Sequence, residues 1–285
     1  MPRFAYVDGR FVRHRDGAVH IEDRGLQFGD AIYEVCAVKN GVLFDMDGHL
    51  ARLARSLAAL SIPPPLSNSS LRMVMRELMA RNKLRNGLVY LQISRGVAKR
   101  DHPFPKVVHP SIILTARSLD MRLGDARAAT GISVQSHADI RWGRVDIKTI
   151  NLLPNVLAKQ AASEAGFGDA WLVDNKGFVT EGTAQNAWIL DSAGILRTRP
   201  SAHDILRGIT RDTIIKVAAD LGYPLEERAF TLIEAKSARE AFITSATSFV
   251  TPVVRIDDAI IGDGVPGLIA KSLRAAYLNE QTSVK

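Results

Sequence analysis

The 285-residue sequence has a single cysteine and no hydrophobic run long enough to cross a membrane. With Cys36 alone, no internal disulfide can form, and a lone thiol is typical of proteins from a reducing compartment. The N-terminal residues lack the apolar stretch of a signal peptide. We therefore expect a cytoplasmic protein that has no membrane partner.

The chain carries 37 Lys and Arg against 30 Asp and Glu, a formal charge of +7. Such an excess raises the possibility of a basic binding protein for nucleic acid, or of an acidic substrate. The basic residues form no long run, however, and acids are interspersed among them. Aromatic residues make up 6%, too few for the stacking surfaces that single-strand binders use. A mixed, solvated surface is the simpler interpretation, and no nucleic-acid partner is expected.

Several familiar catalytic motifs are also missing. The seven histidines never fall at the spacing of zinc ligands, so no metal site is expected. Neither phosphate-binding glycine loop is present, and no Gly-x-Ser-x-Gly elbow of a serine hydrolase occurs. The chemistry of this chain must therefore depend on less conspicuous residues.

The order of expected strands and helices indicates an α+β fold. Leu50, Leu53, Leu57 and Leu60 share one face of a helix for which Asp47 is a plausible N-cap. Hydrophobicity falls and charge rises near residue 120, and strands dominate beyond it. We expect a small α/β domain (1–118), an interdomain connector (119–130) and a larger cofactor-binding domain (131–285).

Three segments could carry chemistry, and each has an ordinary alternative. Lys148 lies between apolar neighbours, and alternation would direct it away from Ile147 and Thr149; it is either a Schiff-base lysine in a cleft or an exposed lysine on a solvated strand. The sequence at 208–211 opens a helix whose first N–H groups could bind an anion, or Thr210 is simply its N-cap. The stretch 180–186 is interpreted as the polar tip of a hairpin.

Three blocks of sequence are specific when taken together. They are EDRGLQFGDAIYEV (22–35), DIRW (139–142) with DIKTINLL (146–153), and EGTAQN (181–186) with LRGITR (206–211). In these blocks the chain resembles the fold-type IV pyridoxal-phosphate enzymes, which include D-amino-acid transaminases, branched-chain aminotransferases and aminodeoxychorismate lyases. The likeness covers essentially the whole chain. It implies a small N-terminal α/β domain and a larger, β-rich pseudo-barrel domain.

The resemblance also implies the residues that bind pyridoxal 5′-phosphate. Lys148 would form the internal aldimine and shuttle a proton, and Glu181 would keep the pyridine nitrogen protonated. Leu206 would pack on the ring. The phosphate would be held by Arg52, Ile209, Thr210, Ala246 and Thr247. The chain departs from the family at Ala246, where relatives commonly carry threonine, and at Trp188, where the signature after Asn186 prefers Phe or Tyr.

For the substrate, the resemblance favours a D-amino acid. The D-amino-acid transaminases hold the substrate carboxylate with a tyrosine and an Arg-x-His pair from the neighbouring subunit, and Tyr33, Arg100 and His102 match these positions. We therefore expect a homodimer that transfers amino groups from D-amino acids to 2-oxoglutarate in a ping-pong reaction. A branched-chain L-amino-acid aminotransferase is the alternative, an (R)-amine transaminase is a close variant, and an aminodeoxychorismate lyase is less favoured.

Overall fold

The computed structural model describes residues 3–283, which form two compact units. The first unit contains the chain up to Met121 together with the short segment Ile147–Asn151. The second contains Arg122–Asp146 and the chain from Leu152 onward. By its contacts, the segment that carries Lys148 therefore belongs to the first unit. The predicted domain limits, 1–118, 119–130 and 131–285, stay a prediction.

The first unit is built from a sheet and a helix pair. Its elements are strands β1 (Phe4–Val7), β2 (Arg10–Arg13), β3 (Ala31–Lys39), β4 (Val42–Leu43), β5 (Gly87–Ser94) and β6 (Ser111–Ser118), a 3₁₀ turn (His14–Asp16), and helices α1 (Arg24–Phe28), α2 (Met46–Ala59) and α3 (Asn68–Arg81). The strands follow the order β2-β1-β6-β5-β3-β4, and every neighbouring pair is antiparallel.

Apolar side chains from α2, α3 and one face of the sheet form the core of this unit. Leu50, Leu53 and Leu57 are buried in it and Leu60 packs against it, so the predicted helical face is confirmed. The expected N-cap is wrong. Asp45, rather than Asp47, precedes the helix, because its left-handed conformation (φ 51°) ends the preceding extended chain and lets α2 begin at Met46.

The second unit is richer in strands. Its elements are β7 (Ile132–Ala138), β8 (Asp169–Val173), β9 (Val179–Gly182), β10 (Asn186–Leu190), β11 (Leu196–Thr198), β12 (Leu225–Glu227), β13 (Glu240–Ser245), β14 (Phe249–Ile256) and β15 (Ala259–Ile260), with helices α4 (Met121–Thr130), α5 (Leu153–Glu164), α6 (Ile209–Asp220), α7 (Leu232–Lys236) and α8 (Leu268–Ser283). Helix α4 occupies most of the predicted connector; Ala128 is its one buried residue, which explains why apolar periodicity did not reveal it.

The nine strands of the second unit form one curled sheet. Its order is β12-β11-β10-β13-β14-β7-β8-β9, with β15 beside β14. Strand β9, at the end of this order, also contacts β10, so the sheet curls back on itself as a half-barrel around an apolar core. The predicted α+β fold is confirmed. Within residues 3–283, no helix is both long and apolar enough to span a bilayer.

Candidate active site

The segment that carries Lys148 lies along the edge of β3 in the first unit. The main-chain N–H of Tyr33 donates to the carbonyl of Lys148 at 2.9 Å, and Thr149 pairs with Ile32 in an isolated antiparallel bridge. Ile147 and Thr149 are buried, whereas Lys148 is half-buried. The predicted alternation of faces is therefore present, although the segment is not part of a regular strand.

Lys148 and Tyr33 also meet through their side chains. The Nζ atom of Lys148 lies 4.2 Å from the centroid of the Tyr33 ring, which in turn stacks on Tyr90 at 5.7 Å. Burial, with a smaller contribution from Tyr33, raises the pKa of Tyr90 to about 12, and its hydroxyl donates to Gln92 at 2.8 Å. The Oγ atom of Ser56 accepts the main-chain N–H of Lys148 at 3.3 Å. The structure thus brings together two of the residues predicted for the site.

Arg52 is buried on α2, one helical turn before Ser56, and pairs with Glu34 of β3. Its Nε and Nη2 atoms donate to the two carboxylate oxygens at 2.7 and 2.8 Å, and His49 Nδ1 lies 2.7 Å from Oε2. Burial alone would raise the pKa of Glu34, but the charge and hydrogen bonds of Arg52, together with His49, lower it to about 2. Glu34 therefore fixes the orientation of Arg52. The predicted role of Arg52 at a cofactor phosphate stays a prediction.

The predicted carboxylate ligands Arg100 and His102 lie apart from Lys148 within the chain. Both are exposed on the loop between β5 and β6, and both approach the ring of Phe28, Arg100 at 5.3 Å and the His102 ring at 5.7 Å. Neither forms a hydrogen bond or ring contact with Tyr33 or Lys148 in the described part of the chain. One chain therefore does not assemble the predicted carboxylate site by itself.

Glu181 lies in the second unit, and the interpretation of its segment as a polar hairpin tip is wrong. It is a buried residue of β9, where its carboxylate accepts hydrogen bonds from the main-chain N–H of Leu206 at 3.2 Å and from Asn186 Nδ2 at 3.1 Å. The same Asn186 nitrogen donates to the Leu206 carbonyl at 2.9 Å. A strand acid can be buried here because its charge has partners. The predicted residues Glu181, Leu206 and Asn186 are thus brought together.

Sequence reasoning gave no role to Arg141 and Asp139, although both belong to a recognised block. Arg141 bridges them to Glu181: it donates to a Glu181 oxygen and, through Nε and Nη2, to Asp139 at 2.9 and 2.7 Å. Burial by itself would lower the pKa of Arg141 and raise that of Asp139, but their mutual hydrogen bonds reverse both directions. The pairing keeps a positive charge beside Glu181, which holds it in the carboxylate form.

Helix α6 begins with an unusual lack of capping. Gly208 is its N-cap, rather than Thr210, and no side-chain cap bond is found there in the part of the chain that is described. The Thr210 hydroxyl is buried and has no hydrogen-bond partner within residues 3–283. A Cβ atom on residue 208 would overlap the Asn186 side-chain oxygen, so the close approach of this turn to β10 requires glycine. Free N–H groups and an unpaired hydroxyl make this helix start a suitable anion site.

The turn between β13 and β14 carries the last two predicted phosphate residues, Ala246 and Thr247. It follows Thr244, which is paired in register with Asn186 of β10. The Oγ1 atom of Thr244 accepts the indole N–H of the fully buried Trp188 at 2.9 Å. The Trp188 ring stacks on Phe242 at 5.4 Å, so the larger aromatic departs from the family signature yet fits the core. The turn therefore lies near the residues around Glu181 within the second unit.

The residues present fit the pyridoxal 5′-phosphate implied by the resemblance. In the second unit, the unpaired Thr210 hydroxyl and the uncapped N–H groups of α6 suit a phosphate, and the Glu181 carboxylate suits a protonated ring nitrogen. In the first unit, the half-buried Lys148 supplies the amine that such a cofactor needs.

Comparison with known proteins agrees with this fit. The model of the amino-transferase class IV family matches residues 31–256. The chain is 40% identical over 272 residues to the D-alanine aminotransferase of Bacillus licheniformis, covering 95% of both chains. It is 38% identical over 275 residues to the D-alanine aminotransferase of Listeria innocua, covering 96% of this chain and 94% of the relative.

Solved structures share the fold. A branched-chain amino acid aminotransferase of T.th. with pyridoxamine 5′-phosphate superposes with a TM-score of 0.91 at 25% identity, covering 100% of this chain and 96% of the other. The branched-chain enzyme of Escherichia coli has a TM-score of 0.91 at 24% identity, covering 99% and 96%. The second likeness concerns the fold alone.

Proposed function

This chain belongs to the amino-transferase class IV family, and we propose that it transfers amino groups from D-amino acids to 2-oxoglutarate with pyridoxal 5′-phosphate as cofactor. The observation that carries the proposal is the contact of Lys148 Nζ with the Tyr33 ring at 4.2 Å. It places the predicted reacting amine beside the predicted carboxylate ligand. The 40% identity to a D-alanine aminotransferase supports the D-specific choice.

Each site residue has a distinct task in this proposal. When bound, the cofactor supplies an electron sink for charge that develops on the substrate Cα. Lys148 Nζ takes the proton that leaves Cα and returns it during the second half of the reaction. Glu181, held as a carboxylate by Arg141, accepts a hydrogen bond from the ring nitrogen and keeps it protonated. Leu206, whose main chain is fixed by Glu181 and Asn186, packs on the ring.

The phosphate contacts belong to the same proposal. Thr210 would donate its buried hydroxyl, and Ile209 and Thr210 their main-chain N–H groups, at the start of α6. Arg52 would add positive charge, and the turn at Ala246 and Thr247 would add further donors. Because residue 246 has no hydroxyl, we propose that this turn contributes through its main chain and Thr247.

Substrate recognition in the proposal requires two copies of the chain. Tyr33 would bind the substrate carboxylate together with Arg100 and His102 of a neighbouring subunit, which agrees with the exposure of both side chains and their distance from Tyr33 in one chain. An arginine fork and two further donors suit a carboxylate. A homodimer is therefore the proposed active form. Its proposed location is the cytoplasm, where the buried thiol of Cys36 would stay reduced.

A branched-chain L-amino-acid aminotransferase is the second candidate. The superposition on the branched-chain enzyme with pyridoxamine 5′-phosphate, with a TM-score of 0.91, favours it, although the 25% identity is well below that to the D-alanine aminotransferases. An aminodeoxychorismate lyase is less favoured and would release pyruvate without needing an amino acceptor.

The decisive test compares D-alanine and L-leucine as amino donors. Protein loaded with pyridoxal 5′-phosphate is mixed with each, and formation of the aminated cofactor is followed by absorbance. We expect conversion with D-alanine; conversion with L-leucine alone would make the chain a branched-chain enzyme. Borohydride reduction followed by peptide mapping should label Lys148, and a Lys148→Ala variant that kept full turnover would contradict its role.

A further inference from the structure

The loop that carries Arg100 and His102 has little structure of its own. It connects β5 to β6 without a helix or strand, and its main-chain pairing is limited to single bridges, Asp23 with Val97 and Gly96 with His109. Arg100 forms no ion pair with any residue that the structure describes. A loop of this kind would be expected to adopt many conformations, which would disfavour the defined arrangement that carboxylate binding needs.

One buried side chain compensates for this lack of structure. The guanidinium of Arg24 donates to three consecutive loop carbonyls, those of Asp101 at 2.6 Å, His102 at 3.3 Å and Pro103 at 3.5 Å. The main-chain N–H of Arg24 also donates to the carbonyl of Gly96 at 2.9 Å, at the beginning of the loop. A single residue thus holds the loop at two places.

Arg24 is itself held rigidly. Its Nε atom donates to Asp30 at 2.8 Å, and its side chain is 4% exposed. The same Asp30 carboxylate accepts two hydrogen bonds from Arg95, at 2.7 and 3.0 Å. Burial would raise the pKa of Asp30, but the hydrogen bonds and charges of Arg95 and Arg24 outweigh it and lower the pKa. Asp30 is therefore a fixed negative charge between two arginines.

The ring of Phe28 links this anchor to the two predicted ligands. The guanidinium of Arg24 lies 4.6 Å from the ring centroid and that of Arg100 lies 5.3 Å from it. The His102 ring is 5.7 Å away. Arg100 and His102 consequently share one aromatic contact surface, while Arg24 holds the main chain that carries them.

We infer that Arg24 is a positioning residue for substrate recognition. It fixes the main chain at 101–103, so that Arg100 and His102 meet the substrate carboxylate in a defined arrangement. The inference rests on the proposed function for the roles of Arg100 and His102. Arg24 need not touch the substrate, so its loss should weaken substrate binding and leave the chemical step largely intact.

The test is a double-mutant cycle in the loaded enzyme. Arg24→Lys keeps a charge beside Asp30 but loses the planar fork that reaches three carbonyls. We expect KM for D-alanine to rise about tenfold, with kcat within about twofold. In an Arg100→Ala, His102→Ala background, the same substitution should change KM by less than about twofold. Equal effects in both backgrounds, or an unchanged KM, would overturn the inference.

A matched control is Arg81→Lys, because Arg81 also covers an aromatic ring, that of Phe11 at 4.4 Å, but belongs to α3. Its kinetics should be unchanged. Hydrogen exchange of the loop amides gives a readout independent of activity: Arg24→Lys should speed their exchange, and Arg81→Lys should not. Unchanged exchange in Arg24→Lys would also overturn the inference. If the native enzyme did not turn over D-alanine, the proposed function would fail, whereas the exchange data would still test the anchoring by Arg24.

Discussion

Tyr33 and Lys148 are joined twice, once through the main chain and once through the side chains. The N–H of Tyr33 donates to the Lys148 carbonyl at 2.9 Å, and Lys148 Nζ lies 4.2 Å from the Tyr33 ring centroid. The first contact fixes the register of the Lys148 segment against β3, and the second positions the amine. Tyr33 can therefore act on the amine with its ring and on a substrate with its hydroxyl.

The two actions of Tyr33 can be separated by substitution. Tyr33→Phe keeps the ring but loses the hydroxyl, so we expect KM for D-alanine to rise about tenfold, the effect of one hydrogen bond to a charged group. Tyr33→Leu also loses the cation–π contact, worth about 0.5–1 kcal/mol, so kcat should fall further by several-fold. Steady-state kinetics of both variants provide the measurement. Equal kcat values for Phe and Leu would show that the ring contact does not matter.

The sequence predicted the family, the α+β fold and most of the long elements because these depend on motifs and on apolar periodicity. The leucine face of α2 is an example, since its spacing matches burial in the core. Glu181 shows the limit. A buried acid in the four-residue strand β9 looks like a polar turn until its partner Arg141, distant in sequence, is seen beside it.

The same limit applies to Arg52 and Arg24. Sequence alone indicates that Arg52 lies off the leucine face of α2, but its pairing with Glu34 depends on how the helix packs on β3. Similarly, Arg24 belongs to a recognised block, yet nothing local predicts that its guanidinium meets the carbonyls of 101–103. Contacts made by tertiary packing of polar groups leave no periodic signal.

The buried pair of Glu34 and Arg52 should control acid stability. Glu34→Gln leaves Arg52 buried beside a neutral partner, and we expect a loss of about 3–5 kcal/mol in the free energy of unfolding at neutral pH. The folded-state pKa of Glu34 is lowered from 4.5 to about 2, so its contribution is complete above pH 4.5 and is lost as the pH falls towards 2. The difference between native protein and variant should therefore shrink across that window in denaturant titrations.

Glu77→Gln is the matched control for this prediction. Glu77 pairs with Arg81 at 2.7 Å on α3, but both side chains are more than 40% exposed. Exposed pairs contribute about 0–1 kcal/mol, so this variant should lose little stability at any pH. A loss as large as that of Glu34→Gln would show that burial is not the cause.

The single thiol should be inert in the folded protein. Cys36 is 1% exposed, and burial, followed by the nearby charge of Glu34, raises its pKa well above the usual range. Because the thiolate is the reactive form, we expect a thiol reagent at mildly alkaline pH to label native protein only as fast as the protein unfolds. Labelling should become complete in denaturant. Rapid labelling of native protein that retains its activity would contradict the buried position.

The Thr210 hydroxyl should have opposite effects with and without cofactor. It is buried and has no hydrogen-bond partner within residues 3–283, so Thr210→Val should leave the cofactor-free protein equally stable or up to about 1 kcal/mol more stable. If the hydroxyl donates to the cofactor phosphate, the same variant should bind pyridoxal 5′-phosphate about tenfold more weakly. Thermal melts of the cofactor-free protein and cofactor titrations measure the two effects.

Thr210→Ser and Thr244→Val complete this comparison. Thr210→Ser keeps a hydroxyl and should retain most of the cofactor affinity. Thr244→Val leaves the buried indole N–H of Trp188 without its acceptor, so it should destabilise the cofactor-free protein by about 1–3 kcal/mol. Both threonines are buried, and they differ in whether the folded chain already provides a hydrogen-bond partner. If Thr210→Val destabilised the cofactor-free protein as much as Thr244→Val, the hydroxyl would have a structural role and the phosphate assignment would be wrong.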